Sequence, residues 1–469
     1  MGNKSVIGVL STHHERLLFS GSLLLVLCVF ISVNSANASL AMFSRTYGGT
    51  ETDVANCIIE TSDGGYAITG YTYSFGAGGE DFWLVKTNAN GNVEWNQTYG
   101  GPLDDQAYSV VKTSDGGYAL AGYTRSSGAP GIAWLVKTDA SGNMQWNRTY
   151  DETKEKEIGA LIETSDGSFV IAGNHWGMSY RVFDLWLLKT DAEGNEIWQK
   201  TYGESIMEFV RSVVETSDGG YAIAGCTGSG SNDFWLVKTD GDGNVEWNQT
   251  YGAIKEYPNS AVKIEQAYSL VETSDGGFAL AGLTDSFGAG EDDFWLVKTD
   301  AEGNMEWNQT YGGVKDDQAY SVVETSEGGY ALAGRTKSFG AGGLDFWFVK
   351  TDANGNIEWN RTYGGAEADY AKCVIETTDG GYAIAGYTSS FGAGKGDFWL
   401  IKTDTEGNYT PESLPSPSTT ESPSPTASPS PSIPEFTPSA ALAVTGTVCV
   451  IAFIWKKAAK QLQKQNNAD

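Results

Sequence analysis

One phrase, Thr-Ser-Asp-Gly-Gly-Tyr-Ala-Leu-Ala-Gly with small variations, begins at Thr61, Thr113, Thr164, Thr216, Thr273, Thr325 and Thr377. The intervals between copies are 52, 51, 52, 57, 52 and 52 residues. Each copy leads to a second phrase built around Trp83, Trp134, Trp186, Trp235, Trp295, Trp347 or Trp399. A third phrase, first seen as Glu94–Gly100, follows with variations in six units but not in the seventh, where Asn408 runs into Tyr409-Thr410-Pro411. Its counterpart stands at the front of the chain, in Phe43-Ser44-Arg45-Thr46-Tyr47-Gly48-Gly49. A repeat of about 50 residues made of short strands is a β-propeller blade, because such a unit cannot bury its faces alone and must stack on its neighbours. Seven units, the last completed by the first residues, make a ring. The expected fold is all-β: a seven-bladed propeller of four-stranded antiparallel blades over residues 42–409, closed by the N-terminal strand.

Within a unit the turn signals are dense. Asp63-Gly64-Gly65, Phe75-Gly76-Ala77-Gly78-Gly79 and Asn88-Ala89-Asn90-Gly91-Asn92 each place residues that tolerate positive φ between apolar runs. The runs are Val54–Glu60, Tyr66–Thr72, Asp81–Thr87 and Val93–Tyr99. Phe82-Trp83-Leu84-Val85 is apolar on both faces, as suits a middle strand between two blades. In the fourth run Val93, Trp95 and Tyr99 are expected on one side and Glu94, Asn96 and Thr98 on the other.

The chain ends predict a surface location. Met1–Ala38 has Lys4 and Arg16, an apolar run Leu17–Val33 and Ala36-Asn37-Ala38, the pattern of a secretory signal peptide over residues 1–38. Residues 410–438 are rich in Ser, Thr and Pro and predict an extended stalk. Residues 439–455 are apolar and predict a transmembrane anchor, helical and at the short limit for spanning. Residues 456–469 are a basic cytoplasmic tail, whose Lys456, Lys457, Lys460 and Lys464 orient the propeller outward.

With 59 acidic against 30 basic residues the net charge is −29, which repels nucleic acid and keeps the surface soluble. Cys28 and Cys449 fall in the leader and anchor, which leaves Cys57, Cys226 and Cys373, an odd number that excludes a disulfide scaffold. Cys57 and Cys373 hold equivalent positions in the first and seventh units, neighbours in a closed ring. A small buried residue explains them better than a bridge, since Ser or Ala fills that place elsewhere.

Phrase, spacing and copy number together resemble archaeal cell-surface β-propeller proteins, which are secreted and often stalked; the resemblance covers Phe43–Asn408. Ile433-Pro434-Glu435-Phe436, the apolar segment and the lysines are similar to the PEF-type archaeal sorting signal. That resemblance implies exchange of the anchor for a lipid by a transpeptidase-like enzyme. Asp352–Trp359 is faintly similar to the tryptophan-docking motif of quinoprotein propellers, and shared blade packing accounts for it better than a quinone site.

Catalytic signals are sparse. His13 and His14 belong to the leader, and His175 lies in an irregular stretch that predicts a solvated loop. No histidine triad, zinc cluster or phosphate loop can be assembled. Asp139–Asn143 and Asp240–Asn244 resemble calcium loops but lack the downstream glutamate, so Asx turns explain them. The repetition of nearly every acid suits structure more than one asymmetric active site, and the expectation is a protein that is not an enzyme. One set rises above this background: Asp53, Asp105, Glu208, Glu265, Asp317 and Asp369, with Lys156 as the exception, each stand eight residues before a blade phrase. A second set, Asp81, Asp184, Asp233, Asp293, Asp345 and Asp397, starts the third strands on the same face. If they converge, they make a negative channel mouth for which calcium is the fitting cation; if each caps its own turn, they are structural. Asn96, Asn147, Asn248, Asn308 and Asn360 head Asn-x-Thr sequons and predict glycosylation of the rim. The expected role is adhesion, cell-envelope interaction or extracellular binding of a protein or glycan through the acidic face. A carbohydrate-active enzyme or quinoprotein-like oxidoreductase at the same mouth is the alternative.

Overall fold

The computed structural model describes residues 42–127, 131–150, 156–176, 183–203, 207–228, 232–253 and 263–410; the expected leader, anchor and tail, and residues 411–438 of the expected stalk, lie outside these. Among the described residues the regular structure is 28 strands, and no helix is long and apolar enough to cross a membrane. Blade 1 runs from an innermost strand, Asp53–Glu60, through Tyr66–Thr72 and Asp81–Thr87 to an outer strand, Val93–Tyr99. Each strand pairs antiparallel with the next. Blades 2 to 6 repeat this order within residues 105–150, 156–202, 207–251, 265–311 and 317–363. Blade 7 holds Asp369–Glu376, Tyr382–Thr388 and Asp397–Thr403 and takes its outer strand, Phe43–Tyr47, from the front of the chain. Phe43 pairs with Lys402 and Tyr47 with Phe398. The ring is therefore a seven-bladed propeller closed as expected.

Seven apolar clusters form the core, one at each seam between blades. The second strands explain how they fit. Tyr330 and Leu332 point toward blade 5, and Ala331 and Ala333 toward blade 7. The alternation of a strand thus makes one bulky and one small face, and the small face leaves room for the next blade's tryptophan. Phe346 meets Trp399 across that gap at 4.5 Å between ring centres. Full burial of such a side chain stabilises by about 1.5–3 kcal/mol.

Polar bonds lock the same seams. The hydroxyls of Tyr47, Tyr99, Tyr251, Tyr311 and Tyr363 donate across the seam to the carbonyls of Gly91, Gly142, Gly303, Gly355 and Gly407, each at 2.7 Å. Tyr150 and Tyr202 do the same to Gly194 at 2.9 Å and Gly243 at 2.5 Å. Gly142 has φ +78°, and a Cβ there would stand 2.6 Å from Trp95 Cζ3. The turn is thus gripped between a tryptophan and a tyrosine of the preceding blade. At the closing seam Phe43 replaces the tryptophan, 2.4 Å from where a Gly91 Cβ would be. On the same face, nearer the axis, Glu60 accepts the N–H and hydroxyl of Thr378 at 2.9 and 2.8 Å, a contact repeated by Glu163, Glu215, Glu272, Glu324 and Glu376.

Three expectations need revision or sharpening. Cys57 and Cys373 do meet at the closing seam, as free thiols; the hydrogen bond between them lowers Cys57 and raises Cys373. His175 is not in a solvated loop: it is buried in the strand Phe169–Trp176, its Nδ1 3.8 Å from Asp184 Oδ2. Val93 does not share a buried face with Trp95, because an irregularity at Lys86/Thr87 shifts the register and leaves Val93 exposed.

Removing one clasp hydroxyl leaves a buried carbonyl without its donor. Tyr311→Phe is expected to destabilise the propeller by about 1–3 kcal/mol, read as a lower urea midpoint, whereas Tyr409→Phe, whose hydroxyl makes no such bond, should leave it unchanged.

Candidate functional site in the central channel

The acids singled out in the sequence begin the innermost strands, where Asp53, Asp105, Glu208, Glu265, Asp317 and Asp369 are all buried. Asp317 shows what they do. Its Oδ1 accepts the Thr336 hydroxyl at 2.5 Å and the Lys337 N–H at 3.1 Å, and its Oδ2 the Gly313 N–H at 2.8 Å. Asp53, Asp105 and Asp369 bind the corresponding glycine N–H groups, of Gly49, Gly101 and Gly365, and the hydroxyls of Ser74, Ser126 and Ser390. Glu265 accepts from Thr284 at 3.3 Å and Glu208 from Thr227 at 3.5 Å. Among the described residues no three His, Cys, Asp or Glu groups converge as a metal centre needs. Asp53, Asp105, Asp317 and Asp369 thus each close a turn, the structural alternative to a calcium-binding mouth. Asp139 and Asp240 likewise close Asx turns, onto Ser141 and Asn143 and onto Asp242 and Asn244.

The second set is paired with the first across seams. A Cβ on Gly100 would stand 2.0 Å from Asp81 Oδ1 and 2.8 Å from Asp105 Oδ2. Gly48, Gly312 and Gly364 separate Asp397 from Asp53, Asp293 from Asp317 and Asp345 from Asp369 in the same way. Asp81, Asp293, Asp345 and Asp397 are also covered by their own glycine-rich loops: Ala77 N–H donates to Asp81 Oδ2 at 2.9 Å, and Ala393 N–H to Asp397 Oδ2 at 3.0 Å. Burial, followed by the charge of the partner carboxylate, pushes Asp81 and Asp397 up to about 6 and raises Asp293 and Asp345. At the seam between blades 2 and 3 both members change together, to Ile132 and a buried Lys156 whose ammonium lies 3.6 Å from the Trp186 ring centre.

What faces the axis is a different set. In every blade the innermost strand carries a β-bulge, at Asn56, Tyr108, Gly159, Arg211, Tyr268, Tyr320 or Lys372. A bulge re-aims one side chain. The last glycine of the repeated phrase allows it: a Cβ on Gly334 would stand 2.0 Å from the Gln318 carbonyl oxygen. Tyr268 and Tyr320 meet edge to face at 5.1 Å, and the Lys372 ammonium lies 4.2 Å from the Tyr320 ring centre. Burial, Arg335 and then Arg211 press Lys372 down to about 8. Arg211 belongs to blade 4 and Lys372 to blade 7, so this influence crosses the channel.

The neighbouring residues hold these groups in place. Tyr108, Tyr268 and Tyr320 donate to the side-chain oxygens of Gln106, Gln266 and Gln318 at 2.6, 2.8 and 2.8 Å. Gln318 in turn donates to Asp292 at 2.5 Å. Arg211 Nη1 is 2.7 Å from Glu157 Oε1. A cavity of about 100 Å³ is lined by Phe209, Arg211, Cys226, Gln266, Ala267 and Tyr268. The sequence reading missed this ring because it followed the repeated residues, while the axial position varies from blade to blade. The glycine inside an otherwise apolar strand was the available signal, since it marks a bulge.

The sequons sit on the outer strands. Trp83 Nε1 donates to Asn96 Oδ1 at 3.2 Å, and Asn147, Asn248, Asn308 and Asn360 accept from Trp134, Trp235, Trp295 and Trp347. Ser44 does so for Trp399 at 2.8 Å. Asn248, Asn308 and Asn360 are exposed, Asn96 and Asn147 half-buried.

No protein-family model and no curated protein sequence matches the chain. Solved structures similar to it include the periplasmic gluconolactonase PpgL of Pseudomonas aeruginosa, at 12% identity and TM-score 0.47, over 67% of this chain and 87% of that one. Sqt1 from Chaetomium thermophilum is similar at 12% identity and TM-score 0.43, over 73% and 83%. A glucose dehydrogenase is similar at 9% identity and TM-score 0.39, over 64% and 96%. Likeness at this level is one of architecture and carries no activity across.

The carboxylate pairs set a pH dependence. Their folded pKa is raised, so between about pH 4 and 6 the native state holds protons that the unfolded chain has released. Their contribution to stability is greatest below that window and declines as pH rises through it. Asp115, Asp218 and Asp275, lowered to about 2 with lysine and threonine bonds, act in the opposite sense only below about pH 4. The melting temperature is expected to be higher at pH 5 than at pH 7.5, with a smaller difference in Asp81→Asn/Asp397→Asn. An unchanged slope in that variant would remove these pairs as the cause.

Proposed function

We propose that the protein is a non-enzymatic ligand-binding propeller of the cell surface, acting in adhesion or cell-envelope interaction, with its recognition surface in the central channel. The observation that carries this is where the seven repeats stop being alike. Clasp tyrosines, seam tryptophans and turn aspartates recur around the ring, whereas the bulge position holds Asn56, Tyr108, Gly159, Arg211, Tyr268, Tyr320 and Lys372. A scaffold needs equivalence and a binding site needs asymmetry. Tyrosine and arginine are also the residues that concentrate binding energy at recognition surfaces. The leader, stalk and apolar segment support export and attachment at the outer face of the membrane, by the helix itself or by a lipid that replaces it.

Binding of the full chain to a glycan array and to solubilised envelope components tests the channel. Tyr268→Ala and Tyr320→Ala are expected to weaken the retained ligand about tenfold or more while the clasps keep the ring folded. Wild-type binding in both variants would place recognition elsewhere. A ligand consumed during the assay, with one residue whose loss abolishes turnover, would replace binding by catalysis.

Glycosylation of the rim belongs to the same proposal. Peptide mapping of native protein should find carbohydrate first at the exposed Asn248, Asn308 and Asn360. Five unmodified sequons would reject it.

A further inference from the structure

Lys372 differs from the other lysines of the repeat. Lys86 on a third strand is held by Asp63 and Glu94, both at 2.8 Å, and its counterparts in the other blades are similarly paired. Lys372, half-buried on the bulge of blade 7, has instead two ring faces, Tyr320 at 4.2 Å and Tyr370 at 5.8 Å from the centroids. Among the described residues no carboxylate lies within ion-pair reach of it. With a pKa pressed down to about 8 by burial, Arg335 and Arg211, it remains a cation at neutral pH.

Arg335 shares those rings, 5.0 Å from Tyr370 and 6.0 Å from Tyr320. Its Nη2 donates to Gln318 Oε1 at 2.8 Å, while its buried Nε has no acceptor. Cations that repel one another, with a donor left over, are stabilised by an anion that accepts from them. Arg211, the third cation, is already paired with Glu157. The free capacity therefore lies with Lys372 and Arg335.

The surroundings narrow the ligand. The net charge of −29 repels polyanions from the outside, which leaves small ligands of low charge. The rings of Tyr268 and Tyr320, edge to face at 5.1 Å beside the Lys372 ammonium, are an aromatic lining that suits the apolar face of a hydroxylated ring. We propose that Lys372 and Arg335 form an oxyanion site that takes the carboxylate or sulfate group of a small acidic saccharide. This rests on the channel being the recognition surface.

Calorimetry and thermal unfolding of the full chain test it, with sodium glucuronate, sodium sulfate and glucose compared at constant ionic strength in chloride. Glucuronate is expected to bind and raise the unfolding midpoint, and glucose to do neither. Lys372→Gln and Arg335→Gln should each weaken glucuronate about tenfold or more, and Lys372→Arg should retain it. Crystals grown with selenate should show anomalous density beside Lys372, a readout independent of how any variant folds. Identical midpoints in all solutions, or wild-type affinity in Lys372→Gln, would overturn the site. Sulfate binding without glucuronate binding would overturn the saccharide. If Lys372→Gln loses the anion response but keeps its glycan-array ligand, this inference fails and the channel reading stands. If Tyr268→Ala and Tyr320→Ala keep that ligand, the channel reading itself fails.

Discussion

A tyrosine hydroxyl bonded to a glycine carbonyl crosses each of the seven seams, and the ring depends on that bond with the aromatic ring beside it. The glycine has to be a glycine twice over: its φ lies near +75°, as at Gly91 and Gly243, and a ring covers the place of its Cβ. Such a turn positions one carbonyl for the incoming hydroxyl and leaves no slack. A propeller has no single core, so its sheets are held by neighbour contacts alone. Equivalent clasps at all seams give each blade the same angle to the next. Equal angles are what let the last blade meet the first.

Closure shows how little sequence identity that requires. Phe43 stands for a tryptophan and Ser44 for a sequon asparagine, yet Tyr47 makes the same bond at 2.7 Å as Tyr99 does. The closing strand removes the free edges that would otherwise be open to pairing with other chains. It also fixes the diameter of the channel, and with it the distance over which Arg211 and Lys372 feel one another.

Much of this was legible from residue order alone. Three of the four runs read in the first unit coincide with strands, and the innermost begins one residue earlier, at Asp53. Periodicity carries that far because each face of a strand meets one environment. It fails where the period breaks. The irregularity beside Lys86 frees Glu94 to bind that lysine at 2.8 Å and turns Val93 outward. The bulges do the same at the axis, and alternation cannot tell that Lys372 joins Tyr320 on the channel wall. Repetition reads differently: Asp317 recurs in nearly every blade because each has the same turn to close, the structural role weighed at the outset against a cation site. The sites where copies differ, among them Arg211 and Lys372, are the ones on which the proposed function rests.

The ring is closed only if the N-terminal strand is a full member of it. Hydrogen exchange of the native chain, followed by mass spectrometry, measures this directly, since protection reports the free energy of opening each strand. Amides of Phe43–Tyr47 should be protected to the same degree as those of Ile357–Tyr363, the equivalent outer strand of blade 6. Exchange of Phe43–Tyr47 at the rate of an unstructured peptide, with Ile357–Tyr363 protected, would contradict the closed ring.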